Sequence, residues 1–187
     1  MYSTRSRSRG QTFFELIITL SISSIALSMA CNSWGQIIRK TRATAAINQL
    51  LFAVYEARHY ALSHRKIVTL CPTQDGQECG GPWHGKLVLF TGSPDKGAEK
   101  KIIATYPETP QGSIEWRSFR NDKFLQIQET GQTLAQNGTF IYCPENHDPH
   151  YARALILNKQ GRARMAQDNN HDGIVELNAK EPATCPH

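Results

Sequence analysis

The stretch Gly10-Gln-Thr-Phe-Phe-Glu15-Leu-Ile-Ile-Thr-Leu20 opens a run that carries no charged residue from Leu16 to Ile38. At about 1.5 Å rise per residue, roughly 20 such residues cross a hydrocarbon core, so a membrane-capable helix is expected here. Arg5, Arg7 and Arg9 precede the run and no acid accompanies them. That bias places the N-terminus in the cytoplasm and the remainder of the chain on the other side. An ordinary secretory signal shares the basic start, but its apolar core is typically ~7–15 residues and ends at a small-x-small site, and neither holds here. Glu15 stands at the edge of the run. A carboxylate there is costly, by about 2.5–3.5 kcal/mol at a helix centre and less near the interface, and so marks a functional candidate.

Outward from this segment, 187 residues accommodate one soluble domain beside the helix. The formal charge is +5, and removal of a leader ending at Gly10 takes away three arginines and leaves +2. Composition therefore excludes a globally basic protein that coats nucleic acid, and any such function must rest on a local patch. The cysteines are Cys31, inside the apolar run, and Cys71, Cys79, Cys143 and Cys185; none has zinc-knuckle or redox C-x-x-C spacing. Four outside the apolar run suit two disulfides in an oxidising compartment such as a bacterial periplasm. Three connectivities are possible; the favoured one joins Cys71 to Cys79 around a short glycine-containing loop and Cys143 to Cys185 near the C-terminus.

From Gln36 to Arg65 there is no Gly or Pro, and Ile47, Leu50, Leu51, Val54, Ala57, Ala61 and Leu62 recur near helical spacing. An amphipathic helix continuing the first one is predicted, with Arg39, Lys40, Arg42, Glu56 and Arg58 on its polar face. The basic residues serve as a solvated face, or Arg39, Lys40 and Arg42 contact anionic lipid headgroups. Beyond the helix, short apolar or alternating runs at 67–71, 87–90, 101–106, 113–116, 139–143, 154–157 and 162–166 alternate with breakers such as Asp75-Gly76, Asn137-Gly138 and Gln160-Gly161. They read as strands. The fold class is α+β, one long helix covering a face of an antiparallel sheet. Its expected segments are a leader (1–10), an apolar helix (11–38), an amphipathic continuation (39–65) and a β-rich domain (66–187).

Gly10-Gln11-Thr12-Phe13-Phe14-Glu15-Leu16-Ile17 resembles the leader junction of type IV pilins and pseudopilins, G-[FM]-T-L-[IV]-E-[LM]. The resemblance implies cleavage after Gly10 by a prepilin peptidase, methylation of the new N-terminus at Gln11, and an assembly role for Glu15. That carboxylate would pair with the freed amine of a neighbouring pilin subunit, neutralising both in a low dielectric. Gln11 departs from the usual Phe, and Asn32 replaces a proline that often kinks this helix. The blocks Val68-Thr-Leu-Cys71, Asp75-Gly76, Cys79-Gly80, Trp83-His-Gly-Lys-Leu-Val-Leu-Phe90, Gly138-Thr-Phe-Ile-Tyr-Cys143 and Gly161-Arg-Ala-Arg164 narrow the resemblance to the GspH/FimT family of minor pilins and pseudopilins, FimT-like members above all. The type IV pilin fold, an inner-membrane precursor with a periplasmic domain, and incorporation into a pilus or pseudopilus are implied with it.

Between Pro149 and Gln167 the chain carries Arg153, Lys159, Arg162 and Arg164 and no acid. Lys159-Gln160-Gly161 suits a hairpin turn. Arg162 and Arg164 then project from one strand face about 6.8 Å apart, with Arg153 and Lys159 as neighbours. Guanidinium groups grip phosphates in planar geometry without reading bases. In FimT-like pilins the corresponding G-R-x-R motif is associated with DNA binding in natural transformation, which makes DNA an expected partner. The competing reading is a charged hairpin that keeps an edge strand soluble, in a subunit that primes or caps a pilus or a type II secretion pseudopilus without touching DNA.

Asp168-Asn-Asn-His-Asp172-Gly173 matches the start of a calcium loop, with Ala179 where the terminal carboxylate belongs and Glu176 at the ninth position; an Asx-rich turn is the other reading. His147, His150, His171 and His187 lack a shared spacing and read as exposed histidines. No metal, cofactor or catalytic constellation is expected: there is no G-x-S-x-G, no H-E-x-x-H and no phosphate-cradling glycine loop.

Overall fold

The computed structural model describes residues 12–94, 100–109, 111–120, 123–178 and 181–185, without the side chains of 29–33. Residues 1–38 and 39–187 form two units, to both of which the helix α1 (Phe13–His64) contributes.

In the first unit the helix opens on a capping arrangement. Thr12 Oγ1 accepts from the Glu15 backbone N–H at 3.3 Å, and Glu15 lies in the first turn, where the macrodipole favours an anion. The described hydroxyls of the apolar run bond within it: Thr19 donates to Leu16 O (2.9 Å), Ser21 to Ile17 O (2.8 Å), Ser23 to Thr19 O (2.7 Å) and Ser28 to Ile25 O (2.8 Å). Such back-bonding lets serines sit on an apolar helix without a partner of their own. Phe13, Phe14, Leu20, Ile22, Ile25 and Leu27 are all exposed, so this helix is apolar around its circumference. Among the described residues no helix is long and apolar enough to cross a membrane; residues 1–11 and the side chains of 29–33, including Cys31 and Asn32, lie outside them.

In the second unit, α1 buries Ala43, Ala46, Ile47, Leu50, Ala53, Val54, Ala57 and Ala61, the stripe that the i, i+3, i+4 spacing dictates. Small residues at 43, 46, 53, 57 and 61 let sheets approach closely. The helix stops at Arg65, which takes a left-handed φ of 49° while Lys66 N–H donates to Ala61 O, a Schellman-type end with Arg in place of Gly.

The strands are β1 (Val68–Pro72), β2 (Leu87–Thr91), β3 (Ile102–Tyr106), β4 (Ser113–Ser118), β5 (Leu125–Ile127), β6 (Gly138–Cys143), β7 (Arg153–Leu157) and β8 (Ala163–Met165). They form two antiparallel sheets rather than the single one expected, ordered β3-β2-β1-β5 and β4-β6-β7-β8. One core joins the helix stripe to Val68, Leu70, Leu87, Leu89, Leu125 and Ile127 of the first sheet. From the second sheet it takes Ile114, Trp116, Phe140, Tyr142, Leu155 and Leu157. In the second sheet the inward parity is clean: Ile114, Trp116, Phe140, Tyr142, Leu155, Leu157 and Ala163 are buried, and their neighbours along each strand face outward.

The outward faces are partly covered. Cys71–Cys79 (Cα–Cα 5.5 Å) closes a loop over Val88 and Phe90 of the first sheet. Within it, Asp75 Oδ1 accepts from the N–H groups of Gln77 and Glu78, both at 2.9 Å, which holds its carboxyl below the usual range. Cys143–Cys185 (Cα–Cα 5.6 Å) ties the C-terminal segment to the second sheet. There Ala166, Val175 and Ala183 pack on Ile141 and Ala154.

Candidate functional site

The hairpin between β7 and β8 is a three-residue loop, Lys159-Gln160-Gly161. Asn158 N–H donates to Arg162 O (3.1 Å), Gly161 N–H to Asn158 O (3.0 Å), and Arg162 N–H to Asn158 Oδ1 (2.9 Å). Gly161 takes φ = 72°, the left-handed residue such loops require. It is needed for a second reason: a Cβ there would lie 2.1 Å from Gly131 O. The same carbonyl accepts from Arg58 Nε at 3.2 Å, and Lys159 O accepts from Thr133 N–H at 3.0 Å. The helix, the 128–133 loop and the hairpin are thereby locked together, so the glycine of G-R-x-R holds the fold while the arginines face outward.

Register fixes what the hairpin displays. Leu157 pairs with Ala163, Ile156 with Arg164 and Leu155 with Met165. Ala163 is buried in the core, whereas Arg162 and Arg164 are exposed on the outward face, as the alternation predicts. Together with Tyr55, Ile156, Asn158 and Ala163 they line an open groove of about 360 Å³, and the Tyr55 hydroxyl donates to Ala163 O at 3.1 Å. Tyr55 was not singled out in the sequence. Its signal is helical: it lies one residue past the buried stripe, at the border toward the β8 edge.

Arg153 does not join this pair. It shares the parity of Leu155 and Leu157 and so starts on the opposite face from Arg164. Its Nη1 donates to Ala152 O (2.6 Å) and His150 O (3.2 Å), and burial lowers its pKa from the usual arginine value. Lys159 sits in the turn, with an exposed side chain.

The helix cations are likewise spoken for more than their spacing suggests. Arg39 lies over the Tyr151 ring at 5.3 Å, Arg42 donates to Gln111 Oε1 and Arg58 to Gly131 O. Glu56 accepts from the Tyr106 hydroxyl at 2.5 Å; desolvation, then that carboxylate, raises the Tyr106 pKa above its ordinary 10.0.

Asp168, Asp172 and Glu176 offer carboxylate oxygens within 4.8 Å of one another, a set that could hold a cation. Each is already engaged. Asp168 accepts from the N–H groups of His171 (2.6 Å) and Gly173 (2.9 Å), Asp172 from Ile174 N–H (2.8 Å), and Glu176 from Asn169 N–H (2.7 Å). Amide donors of this kind, first that of Ile174, hold the Asp172 carboxyl low. This is the bonding of an Asx-rich turn; Ala179 lies outside the described residues. Of the histidines, His150 pairs with Asp148 at 2.9 Å and lowers its pKa, and His187 lies outside the described residues. Gly10 and Gln11 also lie outside them, and Glu15 is exposed.

A family model described as type II transport protein GspH matches residues 46–161, which take in the end of the helix from Ala46 to His64, every strand through β7, and Gly161. No curated protein sequence matches the chain. Among solved structures, the type IV minor pilin FimU of Pseudomonas aeruginosa PAO1 is similar in two crystal forms. One has 17% identity and TM-score 0.55, covering 68% of this chain and 90% of FimU; the other has 18% identity and TM-score 0.52, covering 66% and 92%. The minor pseudopilin EpsH of the Vibrio cholerae type 2 secretion system matches with 12% identity and TM-score 0.48, over 66% of this chain and 95% of EpsH.

Proposed function

The chain belongs to the GspH family of minor pilins and pseudopilins, and from that premise we propose that it is a minor pilin that joins a type IV pilus and holds DNA through Arg162 and Arg164. A precursor anchored once in the inner membrane by the 11–38 helix would be cut after Gly10 by the prepilin peptidase. Glu15 would then pair with the N-terminal amine of a neighbouring subunit, and the exposed apolar side chains of the first unit would pack against other pilin helices. The observation that carries the DNA reading is the hairpin geometry: two guanidinium groups on one exposed face, fixed by the Gly161–Gly131 contact, with no acid between Pro149 and Gln167. Such an arrangement suits backbone phosphates and predicts binding insensitive to sequence.

Residues 39–187 carry every buried residue among those described, both sheets and both disulfides, so this unit is the one to test. It is expected to bind duplex and single-stranded DNA with an affinity that falls as salt rises. Arg162→Gln with Arg164→Gln should weaken binding and flatten the salt slope, while Arg153→Gln, on the other face, leaves both unchanged. If the unmodified unit leaves DNA unshifted at low salt, the chain is instead a structural subunit that primes or caps a filament, the reading the type II transport family favours.

A further inference from the structure

We propose that the nucleic-acid surface extends across the second sheet from the arginine hairpin to Arg117 and Phe119, and that its preferred ligand is single-stranded. This rests on the DNA reading above and concerns residues which that reading does not use. The register builds the surface. Arg117 pairs with Thr139, Thr139 with Ile156, and Ile156 with Arg164, so these four side chains form one cross-strand row on the outward face. The next row continues the same ladders. Phe119 N–H donates to Asn137 O at 3.1 Å and Asn158 N–H to Arg162 O, which lines up Phe119, Asn137, Asn158 and Arg162.

Three strand spacings of about 4.8 Å separate β4 from β8, so each row is roughly 14 Å long. Neither row contains an acid. Glu115 lies one row further along and is held by Arg117 at 2.8 Å, an exposed pair of the kind that contributes little and exchanges readily for a phosphate.

Phe119 decides the ligand class. It is 84% exposed, at the opposite end of its row from Arg162, while its strand neighbour Trp116 is buried in the core. A phenyl ring exposed beside guanidinium groups is a stacking platform. A duplex keeps the faces of its bases inside its own stack, whereas a single strand presents a face at every nucleotide, so ring and cations are satisfied together only by an unpaired strand. Arg164, Arg162 and Arg117 then track phosphates while Phe119 takes a base.

The test uses the 39–187 unit, dye-labelled oligo(dT) and a duplex of the same length, read by fluorescence anisotropy. Phe119→Ala should weaken oligo(dT) binding by about 5- to 150-fold, the range of one base–aromatic stack, and leave the duplex affinity nearly unchanged. Arg117→Gln should lower the slope of log affinity against log salt for oligo(dT) by about 0.7, one phosphate contact on a single strand. Phe119→Trp adds an exposed indole to a unit whose Trp83 and Trp116 are buried, and its emission should be quenched by oligo(dT). If the Phe119 and Arg117 variants bind like the unmodified unit while Arg162→Gln with Arg164→Gln still abolishes binding, this inference fails and the hairpin reading stands. If the unmodified unit binds neither probe, both fall. Loss of filament assembly in Phe119→Ala with oligo(dT) affinity unchanged overturns the stacking role and assigns the ring to a subunit contact.

Discussion

Gly161 and Gly76 make a matched pair of substitutions. Both sit at positive φ, 72° and 81°, so alanine at either meets the left-handed penalty of about 1–2 kcal/mol. Their surroundings differ. A Cβ on Gly76 meets nothing within 4 Å, whereas one on Gly161 lies 2.1 Å from Gly131 O. Backbone cannot yield as a side chain tip does. The hairpin and the 128–133 loop would have to part by about 1 Å, straining the Arg58 and Thr133 hydrogen bonds, and overpacking of this kind costs about 1–3 kcal/mol more. Gly161→Ala should therefore destabilise the 39–187 unit by about 2–5 kcal/mol, a drop in Tm of roughly 4–20 °C for a domain of this size. Gly76→Ala should cost only about 1–2 kcal/mol. Urea denaturation followed by far-UV ellipticity, with m unchanged, measures both. Equal losses, within about 0.5 kcal/mol, would refute the close-approach account and leave backbone conformation as the whole requirement.

Two further outcomes follow from contacts elsewhere in the domain. Because burial and Glu56 raise the Tyr106 pKa above its unfolded value of 10.0, the unfolded chain ionises first. Stability is then level below about pH 10 and falls above it by up to ~1.4 kcal/mol per pH unit. Tyr106→Phe should remove that share of the alkaline slope, and an unchanged slope between pH 10 and 11 would count against the assignment. Loop lengths order the disulfides: bridges spanning 8 and 42 residues correspond in the chain-entropy account to about 2.5 and 4 kcal/mol. The Cys143→Ser, Cys185→Ser pair should thus cost more in chemical denaturation than Cys71→Ser, Cys79→Ser, and the reverse order would discredit the entropic ranking.

The helix stripe, most strands and the presence of two disulfides were readable because each leaves a local signal: 3.6-residue spacing, alternation between breakers, or even cysteine number outside an apolar run. The strand β5 left none. It has three residues without a flanking Gly or Pro, and its central Gln126 is buried only because Gln136 Oε1 accepts its N–H at 2.6 Å and Thr69 Oγ1 lies 3.4 Å from its amide. Division into two sheets was equally hidden, since pairing of β1 with β5 or of β4 with β6 is decided by contacts far apart in sequence. The arginine pair was legible from its own strand. Arg153 was misplaced because proximity in the hairpin does not fix a face; the three-residue loop sets Asn158 opposite Arg162, and from there parity sends Arg153 to the other side. Phe119 gave no warning, for exposure of one ring in a polar turn is a property of the folded surface.

The outward face of the second sheet is covered at one end and open at the other, and on the DNA reading proposed above that division sets a direction. Toward one end, Ala152, Ala154 and Ala166 are small enough for the C-terminal segment to lie against the sheet, with Val175 and Ala183 closing on them and Cys143–Cys185 fixing the approach. Asp168, Asp172 and Glu176 arrive with that segment, and Glu115 stands in the adjoining row. Amide donors spread the charge of these carboxylates without cancelling it, so they repel phosphate on that side. Toward the other end, Thr139, Ile156, Asn137 and Asn158 leave the face open between the arginines. On the reading proposed above, a strand of nucleic acid held by Arg164 and Arg162 would meet these carboxylates if it ran along β7 and β8, and would turn across the sheet instead, along the rows that end at Arg117 and Phe119.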